Sequence, residues 1–228
     1  KEDPRIDGSD LPPAIIHLKD TCGSFAFDYQ SIYSPAGLNP DNTGVIGLDD
    51  FDSSWGIWGH NLRKVLGANT EKVYATINGK ANDSQLCFSS GEMFRLIESY
   101  ITDNFGEKGK FRFVIAPDDT PYACTCPSCT AIGNTEKNAT PAVTELILRL
   151  SQRFPRHFFF TTSYLTTQQV TDKQLPPNAG VIVSTVATVG FHGLSSFRYH
   201  EMNRIGLPFI IAWLWLGFGK EIYSDAEC

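Results

Sequence analysis

Residues 113–129, reading FVIAPDDTPYACTCPSC, join an apolar run to two adjacent acids and then to three cysteines spaced C-x-C-x2-C. An apolar run without polar alternation fits a strand buried on both faces, the mark of a parallel sheet covered by helices. Acids that follow such a strand stand at the C-terminal edge of the sheet, where α/β barrels carry their reactive groups. The stretch therefore points to an enzyme-like site beside a pinned loop, without naming a substrate.

The rest of the chain repeats the alternation. Residues 73–77 and 85–88 read as strands around an Asn78-Gly79 turn. A helix is predicted from Ser90 to about Phe105, because Phe94, Ile97, Ile101 and Phe105 recur at helical spacing, with Ser89 and Glu92 as its capping box. A second helix over residues 141–153 takes Thr140 as N-cap and Pro141 at its first position. Strands are expected at 15–18, 111–116, 157–162, 180–186 and 209–215, and a short helix at 197–205, while residues 22–54 read as a long Gly/Asp/Asn-rich loop closed by residues 55–60 (WGIWGH). No G-x-G-x-x-G or Walker motif follows any strand, which disfavours a doubly wound nucleotide-binding sheet. The expected fold class is α/β, a (β/α)8 TIM-type barrel incomplete at its C-terminal end, in a single domain over 14–228 after a linker at 1–13.

Composition sets outer limits. A chain of 228 residues with 42% hydrophobic residues can bury a large core. A net charge of -6 argues against a nucleic-acid or anionic-membrane surface, and no apolar run approaches the roughly 20 residues of a membrane span. Of the six cysteines, Cys124, Cys126 and Cys129 lie together and resemble half a zinc site. Cys87 is the candidate fourth ligand or a disulfide partner, so a zinc centre, a disulfide and free thiols all stay open.

The barrel rule gathers Asp20, His60, Cys87, Asp118, Asp119, Tyr164, Trp213 and Trp215 at the strand ends. Acids, a histidine and flat aromatics suit a sugar, whose hydroxyls accept hydrogen bonds while its apolar face stacks on rings. Asp119 and Asp118 are the candidate catalytic pair, since glycoside hydrolysis uses two carboxyl groups. Neighbours in an extended segment point opposite ways, so one of the two faces the pocket. Trp58, His60, Tyr164, Trp213, Trp215 and Asp20 are the candidate sugar-binding residues. Each has a plainer reading: Asp118-Asp119 as a turn, Trp58-Gly59-His60 as packed core, and Trp213 and Trp215 as barrel interior. No G-x-S-x-G or H-E-x-x-H motif supports a protease or esterase.

Trp58-Gly59-His60, Gln85-Leu86-Cys87, Ala116-Pro117-Asp118-Asp119 and the run Cys124–Cys129 stand in an order and spacing that resembles the bacterial domain-of-unknown-function 4838 family, over about residues 13–186. The family has asparagine where this chain has Asp118. The resemblance implies a glycoside-hydrolase-like TIM barrel related to hexosaminidases and α-glucuronidases. It further implies export, to the periplasm or cell surface of a glycan-degrading Bacteroidetes bacterium. The expected function is hydrolysis of a complex glycan by carboxylate chemistry, with no cofactor beyond a structural zinc. The alternatives are a non-catalytic carbohydrate-binding barrel and a zinc-stabilised structural domain.

Overall fold

The computed structural model describes residues 54–169 and 171–184, the backbone of 210–213, and the single residues 31, 39, 41 and 49. Nearly all of these belong to a unit spanning Asp50–Cys228. The expected strand at 15–18, the linker at 1–13, the helix at 197–205, and the residues Asp20 and Trp215 lie outside the described residues.

Five parallel strands build the main sheet. They are β1 (Trp55–Ile57), β4 (Arg112–Val114), β5 (Phe158–Ser163), β6 (Ala179–Ser184) and β7 (Ile210–Trp213), side by side in that order. Strand order follows chain order throughout, with no reversal of the kind that marks a doubly wound sheet. The fold class is therefore mixed α/β with a parallel sheet. Among the described residues β1 and β7 are the outer strands and no closure is seen.

Between β1 and β4 the chain inserts α1 (Leu62–Leu66), a 3-10 turn, an antiparallel hairpin of β2 (Tyr74–Ile77) and β3 (Lys80–Leu86), and α2 (Gly91–Phe105). Asn78 and Gly79, with φ of 52° and 75°, make the hairpin turn as their sequence predicts. Short α3 (Pro127–Ala131) and long α4 (Thr140–Arg153) separate β4 from β5. No described helix is long and apolar enough to cross a membrane.

Alternation along the strands explains the layers. Phe113, Ile115, Phe159, Val181 and Val183 share a core with Met93, Ile97 and Ile101 of α2 and with Val143, Leu146, Ile147 and Leu150 of α4. The intervening Val114, Phe160 and Ile182 are buried too, and Trp55 of β1 packs its ring 5.6 Å from that of Phe160. Both faces are covered, which is why these strands read as continuous apolar runs. Gly56 lies so close to the aromatics that an added Cβ would meet Phe113 at 2.3 Å.

Three local expectations need correction. Residues 55–57 form a strand rather than the end of a loop, paired with β4 through an irregular register. Ser90, not Ser89, caps α2, its hydroxyl accepting from the backbone N–H groups of Glu92 and Met93. Thr140 is the first helical residue of α4 and not its N-cap. The N–H groups there are taken by asparagines from the preceding loop, Asn138 Oδ1 for Thr140 and Asn134 Oδ1 for Ala142, each at 3.0 Å. The buried His157 at the other end of the sheet accepts from Phe111 N–H through Nδ1 and donates to Gly106 O through Nε2, a neutral structural tautomer.

Candidate functional site

The segment after β4 makes the tightest polar contacts of the site. Residues Ala116–Asp119 leave the sheet beside His60, which follows β1, and Tyr164, which follows β5. His60 Nδ1 lies 2.5 Å from the carbonyl oxygen of Pro117. A carbonyl only accepts, so Nδ1 carries the proton and Nε2 keeps its lone pair or a second proton for another partner. The His60 and Tyr164 rings stand 5.8 Å apart. Burial, and after it the neighbouring Asp119 carboxylate, raises the Tyr164 pKa. Three strand ends thus bring Asp119, His60 and Tyr164 together.

Asp118 turns elsewhere. Its Oδ2 takes both Nε and an Nη of Arg63 at 2.7 Å, with the acid 15% and the arginine 34% exposed. Arg63 also donates to the carbonyl of Asp83 at 2.5 Å, joining the acid to the hairpin. Asp119 itself is exposed. Adjacent residues in an extended segment diverge, and here they divide into one acid held by a cation and one at the strand mouth.

Gln85, 1% exposed at the end of β3, holds the acid loop in shape. Its Oε1 accepts from the N–H of Asp118 and of Leu86, and its Nε2 lies 3.1–3.2 Å from Asp118 O, Thr120 Oγ1 and Tyr122 O. Tyr122, on the same loop, is 51% exposed and offers a ring to solvent. Sequence reasoning missed the roles of Gln85, Arg63 and Tyr122. The position of Gln85 two residues before a clustered cysteine was the available clue, whereas Arg63 has none, since its partner is 55 residues away.

The four cysteines converge as a separate centre. The Sγ atoms of Cys87, Cys124, Cys126 and Cys129 all lie within 4.8 Å of one another, and none is disulfide-bonded. Cys87 follows β3, Cys124 and Cys126 lie in the loop after β4, and Cys129 sits in α3. Cys124 Sγ accepts from the Thr76 N–H at 3.2 Å, and Cys126 Sγ from the Cys129 N–H at 3.4 Å. Hydrogen bonds from the Cys129 and Cys87 thiols draw the Cys124 pKa down to about 2. Facing that thiolate, Cys87 is pushed up to about 11 and Cys129 is raised as well. Four close thiols that cannot all ionise unaided could hold a metal ion.

Residues 60–202 match the family described as Domain of unknown function (DUF4838). The chain belongs to that family. Comparison with curated proteins and with solved structures gives no match. The DUF4838 match spans His60, Gln85, Asp118, Asp119, Tyr164 and all four clustered cysteines, while Trp58 precedes it and Trp213 follows it. Trp58 is half-buried, its ring 4.6 Å from that of Trp55 in an edge contact. For Trp213 the backbone position is described, opposite Ser184 in β7.

Proposed function

We propose that this DUF4838 protein is carbohydrate-active, a glycoside hydrolase of a complex glycan with Asp119 as its proton donor or substrate-orienting acid. The observation that supports it is the meeting of Asp119, Tyr164 and His60 at the C-terminal ends of three neighbouring parallel strands. In this reading the Tyr164 phenol beside Asp119 helps orient the carboxylate. His60, anchored through Nδ1, presents Nε2 to a hydroxyl, and Tyr122 and Trp58 supply rings for the apolar face of a sugar. Asp118 serves as the anchor of the loop, so in this reading the second carboxylate comes from elsewhere in the chain. The reading needs no cofactor at the sugar, and the metal it allows is a structural zinc on the cysteines. Export from a glycan-degrading bacterium and closure of the sheet into a TIM barrel belong to the same proposal.

The engagement of Asp118 by Arg63 favours one alternative, a barrel that binds glycan without cleaving it. A hydrolysis screen on aryl-glycosides and complex glycans, run beside Asp119→Asn, separates the two. Turnover that falls at least about 100-fold in a folded Asp119→Asn protein supports acid–base catalysis. Saturable glycan binding without turnover by either protein leaves the binding barrel. Neither turnover nor binding overturns the carbohydrate reading.

A further inference from the structure

The cysteine centre and the acid loop share a frame. Gln85 stands two residues before Cys87, and Tyr122 two residues before Cys124, so the Gln85 bridge to the acid loop is bracketed by two of the clustered sulfurs. A second link runs through the hairpin, where Thr76 gives its N–H to Cys124 Sγ and takes the N–H of Thr125 on its carbonyl at 2.8 Å. The short segment 118–123 therefore cannot move without moving either a sulfur or the hairpin.

Two of the sulfur–sulfur separations match those of a metal tetrathiolate, and all four sulfurs lie within 4.8 Å of one another. A zinc ion with four thiolates at about 2.3 Å, placed tetrahedrally, separates its sulfurs by about 3.8 Å. Cys87 Sγ lies 3.7 Å from Cys126 Sγ and 3.8 Å from Cys129 Sγ. A disulfide would need about 2.05 Å, so no pair here is bridged. All-sulfur tetrahedral donors select zinc or iron, and sulfurs this close enclose one ion rather than a multinuclear cluster. The surroundings suit thiolates: two backbone N–H groups point at sulfur, and the Ser89 hydroxyl lies 3.0 Å from Cys129 Sγ. That contact accounts for Ser89, whose neighbour Ser90 performs the helix capping.

We infer that Cys87, Cys124, Cys126 and Cys129 bind one zinc ion as a tetrathiolate, and that this ion is the positioning device of the loop carrying Asp118 and Asp119. The inference rests on the structural-zinc reading of the cysteines and is independent of the glycan reading. The ion closes a loop from β3 to α3 that the sequence separates by about forty residues, and it does so next to Gln85. Loss of the ion frees the cysteine loop, and with it the backbone on which Asp119 stands.

The test uses the full chain. Metal analysis of the protein as purified, followed by cobalt substitution, should give one zinc per chain and the intense visible bands of a tetrahedral cobalt–thiolate centre. Replacing Cys126 by Ser should shift those bands and lower the metal content. Hydrogen exchange is then followed in peptides covering 117–125 and, as a reference, 158–163, before and after removal of the metal by a chelator. Exchange in 117–125 should accelerate at least about tenfold while the β5 peptide stays protected. If the stripped chain unfolds as a whole, the zinc-loaded Ser89→Ala protein decides. It should bind zinc about tenfold more weakly, the usual size of an outer-sphere effect, and exchange faster in 117–125 alone. Protein that carries iron, or no metal with its cysteines paired in disulfides, overturns the zinc site. Stoichiometric zinc with unchanged protection of 117–125 in the stripped chain, or in Ser89→Ala where the stripped chain unfolds, overturns the positioning role. Neither result bears on turnover or glycan binding, so this inference and the carbohydrate reading fail separately.

Discussion

Gln85→Leu removes every polar contact of the residue that shapes the acid loop while nearly preserving its volume. The wild-type carboxamide accepts two backbone N–H groups at 3.0 Å each, from Leu86 and Asp118. Its two amide hydrogens are shared among Asp118 O, Thr120 Oγ1 and Tyr122 O. In the leucine variant the N–H of fully buried Leu86 has no replacement and costs about 1–3 kcal/mol. The Asp118 N–H and the two carbonyls lie nearer solvent and cost less, about 1–2 kcal/mol together. Thr120 turns its hydroxyl to water at little cost. The total is about 3 kcal/mol, a shift in melting temperature of roughly 6–12 °C for a domain of this size.

Urea unfolding monitored by tryptophan fluorescence measures this loss, and an unchanged slope shows that the same surface is exposed on unfolding. Gln85→Glu sharpens the test. It keeps an acceptor for the two N–H groups but sets a carboxylate oxygen against two carbonyls, so it should lose at least as much stability as leucine. A loss below about 1 kcal/mol for Gln85→Leu, or a Gln85→Glu protein as stable as the parent, refutes the argument that this amide organises the loop.

Three further outcomes follow from the same geometry. Asp118→Asn breaks an ion pair that is partly open to water and should cost no more than about 1 kcal/mol in urea unfolding, shrinking further with added salt; it should leave any glycan turnover largely intact, whereas Asp119→Asn lowers that turnover at least about 100-fold. Ser90→Ala deletes the cap of α2 and should cost about 1 kcal/mol without changing metal content, and a cost near zero would return the cap to Ser89. Tyr164 has a folded-state pKa raised above the ordinary 10.0, so its contribution to stability is complete below that pH and is lost as pH rises through it; stability followed against pH should fall on the alkaline side in the parent and less steeply in Tyr164→Phe, and a phenol-dependent loss already present below about pH 9 would contradict the Asp119 contact.

How much of this was legible in the sequence depends on the range of the interaction. Local periodicity predicts α2 from Phe94, Ile97, Ile101 and Phe105, and the Asn78-Gly79 turn predicts the hairpin. Continuous apolar runs predict β4, β5 and β6 as buried parallel strands. The same approach passes over β1, because three residues within WGIWGH carry too little pattern and the strand exists only by pairing with β4, more than fifty residues on. It misplaces the α2 cap by one residue because Ser89 and Ser90 are equivalent by composition. What separates them is Cys129, a distant sulfur that takes the first hydroxyl and leaves the second to the helix. Arg63 is invisible for a similar reason, since any arginine could meet Asp118 until the hairpin is folded.

These long-range contacts share one origin, the insertion between β1 and β4. In a minimal βα unit a single helix joins successive parallel strands, and the acids after the second strand depend on their own loop for position. Here the crossover carries an extra hairpin, and that hairpin supplies Gln85 to the loop backbone, Cys87 to the sulfur cluster and the Thr76 amide and carbonyl to Cys124 and Thr125. Arg63 of α1, from the same insertion, neutralises Asp118 and binds the hairpin carbonyl of Asp83. A surface loop bearing two adjacent carboxylates would ordinarily be among the least ordered parts of an α/β protein. With one acid paired, its backbone amide bonded to a buried glutamine and three of its cysteines among the four clustered sulfurs, the loop holds Asp119 on an anchored backbone, which is what the role proposed for Asp119, meeting a substrate at a fixed distance, requires.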